Sequence, residues 1–269
     1  MSIAFLGGGN MANALIGGLI ARGYAASDIA VIEISAAARE RIAAHGVRVS
    51  TAPDAATAKA DTLVLAVKPQ DARAAVASVA ASARGKLVIS IIAGLRLAAL
   101  SGWLGGHRSL VRCMPNTPAL VGAGIAGVYA LPEVTAAERE RAQRILSAVG
   151  EVVWLNDERL LDTVTAVSGS GPAYVFWFIE QLALFAERAG IGKAEALKLA
   201  THTVLGSAKL AAESGEPPAE LRARVTSKGG TTEAALKVFE QEKLAERFAR
   251  ALAAATRRGG ELGDELAKD

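Results

Sequence analysis

A glycine-rich turn separates the first apolar run of the chain from its first helix-like segment. Residues 3–6 (IAFL) have the composition of a buried strand, and residues 7–12 (GGGNMA) follow directly, before an apolar periodic stretch. The turn fits the pattern G-x-G-x-x-A, in which Gly7 permits the sharp turn, Gly9 lets a pyrophosphate approach the backbone, and Ala12 packs helix against strand. A simple glycine turn is the alternative. The order strand, turn, helix favours a dinucleotide-binding domain.

The first part of the chain, about 150 residues, alternates short apolar runs with helix-like stretches. This alternation is typical of a parallel sheet covered by helices. The almost continuously apolar residues 62–67 (TLVLAV) indicate burial on both faces of that sheet. The predicted strands are residues 3–6, 29–32, 62–67, 87–92, 109–114, 127–129 and 151–155. The predicted helices are residues 11–21, 36–44, 71–83, 97–104 and 136–149.

The pattern changes near residue 158, after which glycine and proline punctuate a series of helices without strand-like alternation. We therefore predict an α/β chain in which an N-terminal Rossmann-type dinucleotide-binding domain, residues 1–157, precedes an all-α dimerisation domain, residues 158–269. The predicted helices of the second domain are residues 172–189, 193–214, 218–225, 231–241 and 242–266.

Dimerisation is predicted from the first long helix of the second domain. Its aromatic side chains cover more than one helix face, so burial on most sides is expected. A domain of about 110 residues offers little core for such a helix, which indicates that a second subunit covers it. The alternative is a central core helix of a monomer. The aromatic residues are Tyr174, Phe176, Trp177, Phe178 and Phe185.

Composition argues against several classes of protein. The formal net charge is only +3, without a long basic stripe, so nucleic acid is not an expected partner. The single cysteine, Cys113, lies in a predicted buried strand, rules out an intramolecular disulfide and fits a reducing compartment. Three widely spaced histidines give no metal-ligand pattern. The uncharged N-terminal stretch lacks a basic n-region and is interrupted by glycine and asparagine, which predicts a cytoplasmic protein without a membrane anchor.

Glu33 follows the second predicted strand, where Rossmann-type folds place an acidic residue that hydrogen-bonds the adenosine ribose. A carboxylate there repels the 2′-phosphate of NADPH, and Ile34 adds no positive charge, so the sequence leans toward NADH. Ser35 and Arg39 are close enough in sequence to weaken this preference. The alternative is that Glu33 is only a solvated strand-end residue.

Two further strand ends are candidates for the nicotinamide side, because ligands bind at the carboxyl ends of parallel strands. The backbones of Val67 and Lys68 follow the 62–67 strand and are expected to face the nicotinamide ribose. Ala93 follows the next strand, where small residues leave room for a bound ring. Lys68 has the alternative role of an ordinary solvated loop lysine.

A second glycine-rich segment, the C-terminal glycine loop (residues 225–233, VTSKGGTTE), lies about forty residues from the end of the chain. It opens straight into an amphipathic run, so backbone N–H groups and hydroxyls are exposed at a helix N-terminus. Such an arrangement binds carboxylate or phosphate. On its own the loop predicts only an anion site.

Taken together, five segments resemble the pyrroline-5-carboxylate reductases, in order and with fitting spacing over essentially the whole chain. The resemblance implies an enzyme that reduces 1-pyrroline-5-carboxylate to L-proline with NAD(P)H, the last step of proline biosynthesis. It also implies a helical domain that interlocks with a second subunit in a homodimer, with larger rings of dimers in the family. The segments are residues 168–174 (SGSGPAY) and 227–232 (SKGGTT), which are the most specific, and residues 7–12, 66–70 (AVKPQ) and 114–118 (MPNTP).

The resemblance also implies site residues. Two departures from the family pattern matter. Lys228 stands where the family usually has proline, and residues 33–34 (EI) stand where many members have a polar or basic pair. The implied cofactor side comprises Gly7, Gly9, Asn10, Met11 and Glu33, with Val67, Lys68, Ala93 and Asn116 next to the nicotinamide. The implied substrate side comprises Glu158, Ser227, Gly230, Thr231 and Thr232.

The chemistry of a cyclic imine requires neither a nucleophile nor a metal, because the protonated substrate is already electrophilic. The rate of hydride transfer then depends mainly on how the substrate and the cofactor are positioned. The substrate carboxylate is expected on the N–H groups of residues 230–232, and Thr232 is assigned orientation of the imine nitrogen and proton relay from solvent. A helix-capping role for Thr232 is compatible with this. The alternatives are a related imine or β-hydroxyacid dehydrogenase of the same architecture, and a nonenzymatic metabolite-binding protein.

Overall fold

The computed structural model describes residues 1–268. They form two compact units, Met1–Ser170 together with the chain from Ala255 onward, and Gly171–Ala254. The domain boundary predicted after residue 157 differs from this division by the short segment 158–170 and by the end of the last helix, and it stays a prediction. None of the helices formed by the described residues combines the length and apolar character of a membrane span.

The first unit is built on an eight-stranded sheet with the order β3-β2-β1-β4-β5-β6-β7-β8. Its first six positions have the strand order of a Rossmann-type fold, which reverses between β1 and β4. Neighbouring strands are parallel except β6 and β7, which are antiparallel. The strands are β1 (Ile3–Leu6), β2 (Ile29–Ile32), β3 (Arg48–Ser50), β4 (Thr62–Leu65), β5 (Leu87–Ser90), β6 (Leu110–Met114), β7 (Gly124–Ala130) and β8 (Gly150–Trp154).

Seven helices of the first unit connect these strands or follow them. All predicted helices in this part are present, but α3 and α7 are too short to give a periodic signal and were not predicted. Strand β3 was not predicted either, because three residues are too few to show an alternation of apolar and polar side chains. The helices are α1 (Asn10–Ala21), α2 (Ala36–Ala43), α3 (Ala55–Lys59), α4 (Ala72–Ala83), α5 (Leu97–Trp103), α6 (Ala136–Leu146) and α7 (Leu160–Val164).

The core lies on both faces of the sheet, as the apolar strands predict. In β1, side chains alternate between faces, so Ile3 and Phe5 join one apolar cluster while Ala4 and Leu6 join the other. The central strands β1, β4 and β5 are therefore apolar at nearly every position, with Thr62 and Ser90 as the exceptions. The residues after their carboxyl ends are the ones available for binding.

The second unit consists of helices only, and its predicted helices are confirmed to within two residues. Helices α8 and α9 pack against each other, and Tyr174 meets Phe248 edge to face with ring centroids 6.1 Å apart. Many large apolar side chains nevertheless stay uncovered by their own chain, including Trp177 at 60% and Phe185 at 75% exposure. The helices are α8 (Gly171–Arg188), α9 (Lys193–Ser214), α10 (Pro218–Arg224), α11 (Thr231–Gln241) and α12 (Leu244–Lys268), whose end belongs to the first unit.

The single cysteine provides a test of the core of the first unit. Cys113 in β6 is fully buried, and burial raises the pKa of its thiol well above the ordinary range because the thiolate is desolvated. We expect the native protein to react with a thiol reagent at least on the order of a hundredfold more slowly than the denatured chain. Equal labelling rates in buffer and in denaturant would contradict this packing.

Candidate active site

The glycine-rich turn joins β1 to α1 at the point where the strand order reverses. Gly7 has φ +100°, and a Cβ on it would lie 2.8 Å from the backbone oxygen of Ala66, so only glycine fits there. A Cβ on Gly9 would meet none of the described residues within 4 Å. Gly9 precedes α1 without a side-chain cap. The turn therefore leaves open space in front of unpaired N–H groups of the first helical turn, where Asn10 and Met11 lie, which fits a pyrophosphate.

Glu33 lies directly after β2 and is held by backbone groups on both carboxylate oxygens. Its Oε2 accepts a hydrogen bond from the N–H of Gly8 at 2.7 Å, and its Oε1 accepts one from the N–H of Ser35 at 2.7 Å. Arg39 donates to the backbone oxygen of Ile34 at 2.7 Å. The carboxylate thus braces the glycine-rich turn from the ribose end of the predicted crevice, a contact that the sequence did not indicate.

The predicted nicotinamide residues follow the carboxyl ends of three neighbouring strands, β4, β5 and β6, and so lie along one edge of the sheet. Val67 is half-buried, while Lys68 and Ala93 are exposed. Asn116 is buried, and its Oδ1 accepts a hydrogen bond from the N–H of Ile125 at 2.9 Å. That bond ties the loop after β6 to the start of β7, so the side chain of Asn116 has a defined partner within the chain.

Glu158 lies in the first unit, just before α7. Its Oε1 accepts hydrogen bonds from Nη1 of Arg112 at 3.0 Å and from the N–H of Leu97 at 2.8 Å. Arg112 was missed at the sequence level, although a charged residue inside the apolar strand Leu110–Met114 is a signal, because a buried guanidinium requires a carboxylate partner. The structure brings Glu158 together with this arginine.

The C-terminal glycine loop lies in the second unit, between α10 and α11. The N–H of Gly229 donates to Oε2 of Glu233 at 2.8 Å, and the N–H of Gly230 donates to the backbone oxygen of Ser227 at 3.0 Å. These two bonds fold the loop onto the start of α11. Gly230 is the N-cap and has no side chain with which to cap the helix.

The first turn of α11 consequently presents N–H groups that have no partner within the helix. Thr231 is exposed and Thr232 half-buried at this end, and Lys228 is exposed beside them. Backbone donors, two hydroxyls and an ammonium group suit a small carboxylate. Within residues 1–268, no group of three or more histidine, cysteine, aspartate or glutamate side chains is arranged to hold a metal ion.

One family model matches the N-terminal part of the chain, and another matches the C-terminal helical part. Residues 2–94 match a family described as NADP oxidoreductase, coenzyme F420-dependent. Residues 158–262 match a family described as pyrroline-5-carboxylate reductase dimerisation. The first match covers the glycine-rich turn and Glu33, and the second covers the C-terminal glycine loop.

Individual relatives match over nearly the full length. A pyrroline-5-carboxylate reductase of Pseudomonas aeruginosa is 46% identical over 98% of this chain and 97% of its own. The solved structure of a pyrroline-5-carboxylate reductase from Coxiella burnetii has a TM-score of 0.92 and 40% identity, over 97% of this chain and 98% of its own. A Plasmodium falciparum pyrroline carboxylate reductase, solved with NADP bound, has a TM-score of 0.85 and 26% identity, over 98% of both chains.

These matches confirm the predicted fold class, a Rossmann-type domain followed by a helical dimerisation domain. They also confirm the predicted enzyme class, an NAD(P)-dependent oxidoreductase. The chain belongs to the pyrroline-5-carboxylate reductase family, whose activity is the reduction of 1-pyrroline-5-carboxylate to L-proline.

Proposed function

We propose that this reductase binds its cofactor through residues of the first compact unit and its imine substrate mainly through residues of the second. The cofactor residues lie along the edge of the sheet, and the main substrate residues lie at the start of α11. The observation that carries the proposal is the uncapped N-terminus of α11 with Thr231 and Thr232 beside it. Backbone N–H groups at a helix start with hydroxyls beside them suit a carboxylate, which is the group that a small acidic heterocycle offers.

On the cofactor side, we assign the pyrophosphate to Gly7 and Gly9 and to the first residues of α1, Asn10 and Met11. The open space at Gly9 and the unpaired N–H groups of the first turn of α1 support this. Glu33 is assigned to the adenosine ribose. The exposed loop positions of Lys68 and Ala93 support contact with the nicotinamide half, and Val67 and Asn116 complete that side. When bound, the reduced nicotinamide supplies the hydride that the imine carbon receives.

On the substrate side, we assign the carboxylate to the backbone N–H groups of residues 230–232 and to the hydroxyls of Ser227 and Thr231. Glu158 stays assigned to the substrate side as well, in addition to its bonds to Arg112 and Leu97. Thr232 is assigned to the imine nitrogen. A threonine hydroxyl is too weak an acid to protonate a substrate, so it orients the nitrogen and relays a proton from solvent.

The matched dimerisation domain supports a homo-oligomer. We propose that it is an interlocked dimer in which the exposed apolar faces of α8 and α9 cover each other, and that such dimers associate into rings. The exposed residues on these faces include Val175, Phe176, Trp177, Phe178, Leu184, Phe185, Leu197, Leu199, Leu205 and Leu210. A patch of this extent is rarely left open on a soluble monomer. The single cysteine fits the cytoplasm, where we propose that the enzyme acts.

The activity is tested with the purified protein, 1-pyrroline-5-carboxylate and either NADH or NADPH. We expect the near-ultraviolet absorbance of the reduced nicotinamide to fall only when the imine is present, with L-proline as the product. Binding of the dinucleotide without oxidation by this substrate, together with turnover of another imine or of a β-hydroxyacid, would overturn the substrate assignment.

Glu33 provides a test of cofactor preference. We expect Glu33→Gln to raise the NADPH/NADH ratio of kcat/KM about fivefold, because it removes roughly 1 kcal/mol of screened repulsion against the 2′-phosphate. The amide oxygen of glutamine can still accept the N–H of Gly8, which keeps the turn braced, while the bond from the N–H of Ser35 is lost. Glu40→Gln, an exposed glutamate on α2, is the matched control and should leave the ratio unchanged. An unchanged ratio in Glu33→Gln would show that the carboxylate does not face the ribose.

A further inference from the structure

We infer that Glu158 is a positioning residue for the nicotinamide loop, defined as residues 91–96 between β5 and α5. This inference rests on the proposed function, since it requires that Ala93 in this loop lies next to the nicotinamide. Ala93 is exposed at the carboxyl end of β5. The groups that hold the loop in place are mainly charged side chains: Arg96, Arg112, Glu158, Asp162 and Asp264.

The network begins with Arg112, whose side chain is only 4% exposed. Arg112 is paired in register with Ser90, the last residue of β5, so it lies directly beside the start of the loop. Its Nη1 donates to Oε1 of Glu158 at 3.0 Å, and its Nη2 lies 3.8 Å from Oδ1 of Asp162. A guanidinium this deeply buried needs these carboxylates, because removing one partner leaves an uncompensated charge.

The same oxygen of Glu158 also accepts the N–H of Leu97, the first residue of α5, at 2.8 Å. Arg96, the N-cap of that helix, provides no side-chain cap of its own. Glu158 therefore supplies the missing cap from 61 residues away in the sequence. One carboxylate oxygen joins strand β6 to the end of the nicotinamide loop.

The side chain of Arg96 anchors the same end of the loop to α7 and α12. Its Nη2 lies 3.1 Å from Oδ1 of Asp264 and 3.8 Å from Oδ2 of Asp162. A Cβ on Gly263 would lie 3.0 Å from the backbone oxygen of Gly94, so α12 approaches the loop as closely as glycine allows. Strand β6, α7 and α12 thus hold the loop in one conformation through contacts within the chain.

Loosening this network should weaken binding of the nicotinamide half of the cofactor and leave the adenosine half unaffected. The experiment measures dissociation constants of NADPH and of 2′,5′-ADP, which lacks the nicotinamide, by calorimetry. We expect Glu158→Gln to weaken NADPH binding about tenfold, the effect of one lost charge-assisted hydrogen bond, and to leave 2′,5′-ADP binding unchanged. Glu158→Ala, which also removes the acceptor for Leu97, should weaken it further.

The matched control is Asp157→Asn, the adjacent residue, whose carboxylate pairs with Arg159 at the surface. It should change neither constant. Arg96→Met disturbs the loop without touching Glu158, and the same selective loss is expected, which keeps the test valid if a Glu158 variant folds poorly. Thermal unfolding of each variant identifies that case.

Two results would overturn the inference. If Glu158→Gln raises the KM for 1-pyrroline-5-carboxylate while NADPH binding is unchanged, Glu158 acts on the substrate alone and does not position the loop. If both ligands weaken equally, its role is general stability. The variant Ala93→Leu tests the proposed function independently of Glu158. If this bulkier side chain leaves NADPH binding unchanged, the loop does not line the nicotinamide site, and the proposed function itself is wrong at this point.

Discussion

Replacing Thr232 with alanine or with the isosteric valine should lower kcat for 1-pyrroline-5-carboxylate roughly 10- to 100-fold. This is the effect of losing a hydrogen bond to a charged or strongly polarised group, about 1.5–3 kcal/mol. The hydroxyl is assigned to the imine nitrogen, so the loss should appear in turnover rather than in dinucleotide affinity. Steady-state kinetics with varied imine, together with a titration of NADPH, would measure both quantities.

Valine is the sharper of the two substitutions at this position, because it keeps the branched shape and removes only the hydroxyl. Thr203→Val is a suitable control, since the Thr203 hydroxyl donates to the backbone oxygen of Leu199 within α9 and has no assigned role. Wild-type turnover in Thr232→Val would show that the hydroxyl is only a helix-end group. Equal losses of turnover and of NADPH affinity would point to a disturbed fold.

Replacing Phe185 with glutamate should convert the oligomer to monomers at micromolar concentration. Phe185 is 75% exposed in the isolated chain and lies on α8 among other uncovered apolar side chains. Losing a large aromatic residue from an interface costs about 2–4 kcal/mol, and a charge buried there adds to this. The dimer dissociation constant should therefore rise at least about a hundredfold. Light scattering after size exclusion would report the molar mass.

Phe185→Leu serves as the matched control for dimerisation, because it changes the shape of the side chain but keeps it apolar. It should stay oligomeric and lose only part of its thermal stability. An unchanged molar mass in Phe185→Glu would place this face of α8 outside the interface. The uncovered apolar surface would then need another explanation.

Periodicity and glycine or proline placement predicted most of the secondary structure. The seven predicted strands are present to within three residues, and the helices of the second unit to within two. The antiparallel pairing of β6 and β7 was not predicted. Strand direction depends on where a connection returns to the sheet, and a short loop such as residues 115–123 carries no periodic signal for that.

Some parts of the candidate site could likewise be predicted from the sequence, and others could not. The glycine-rich turn and the C-terminal glycine loop could be located from sequence, because each depends on local backbone needs that glycine alone meets. The partners of Glu33, Asn116 and Glu158 could not. Arg112 and Glu158, for example, are 46 residues apart, and no local pattern records which strand faces which helix.

The sequence by itself therefore determined the class of fold, the two glycine loops and the family, since these follow from local conformational preference and from motifs in a fixed order. Only the tertiary structure decided how the loops are held. It placed the carboxylate of Glu33 on the glycine-rich turn and that of Glu158 between β6 and α5. It also placed four aromatic residues of α8, Phe176, Trp177, Phe178 and Phe185, on an uncovered surface. Such contacts arise from packing of segments far apart in the chain, where burial without a hydrogen-bond partner is costly for a polar group.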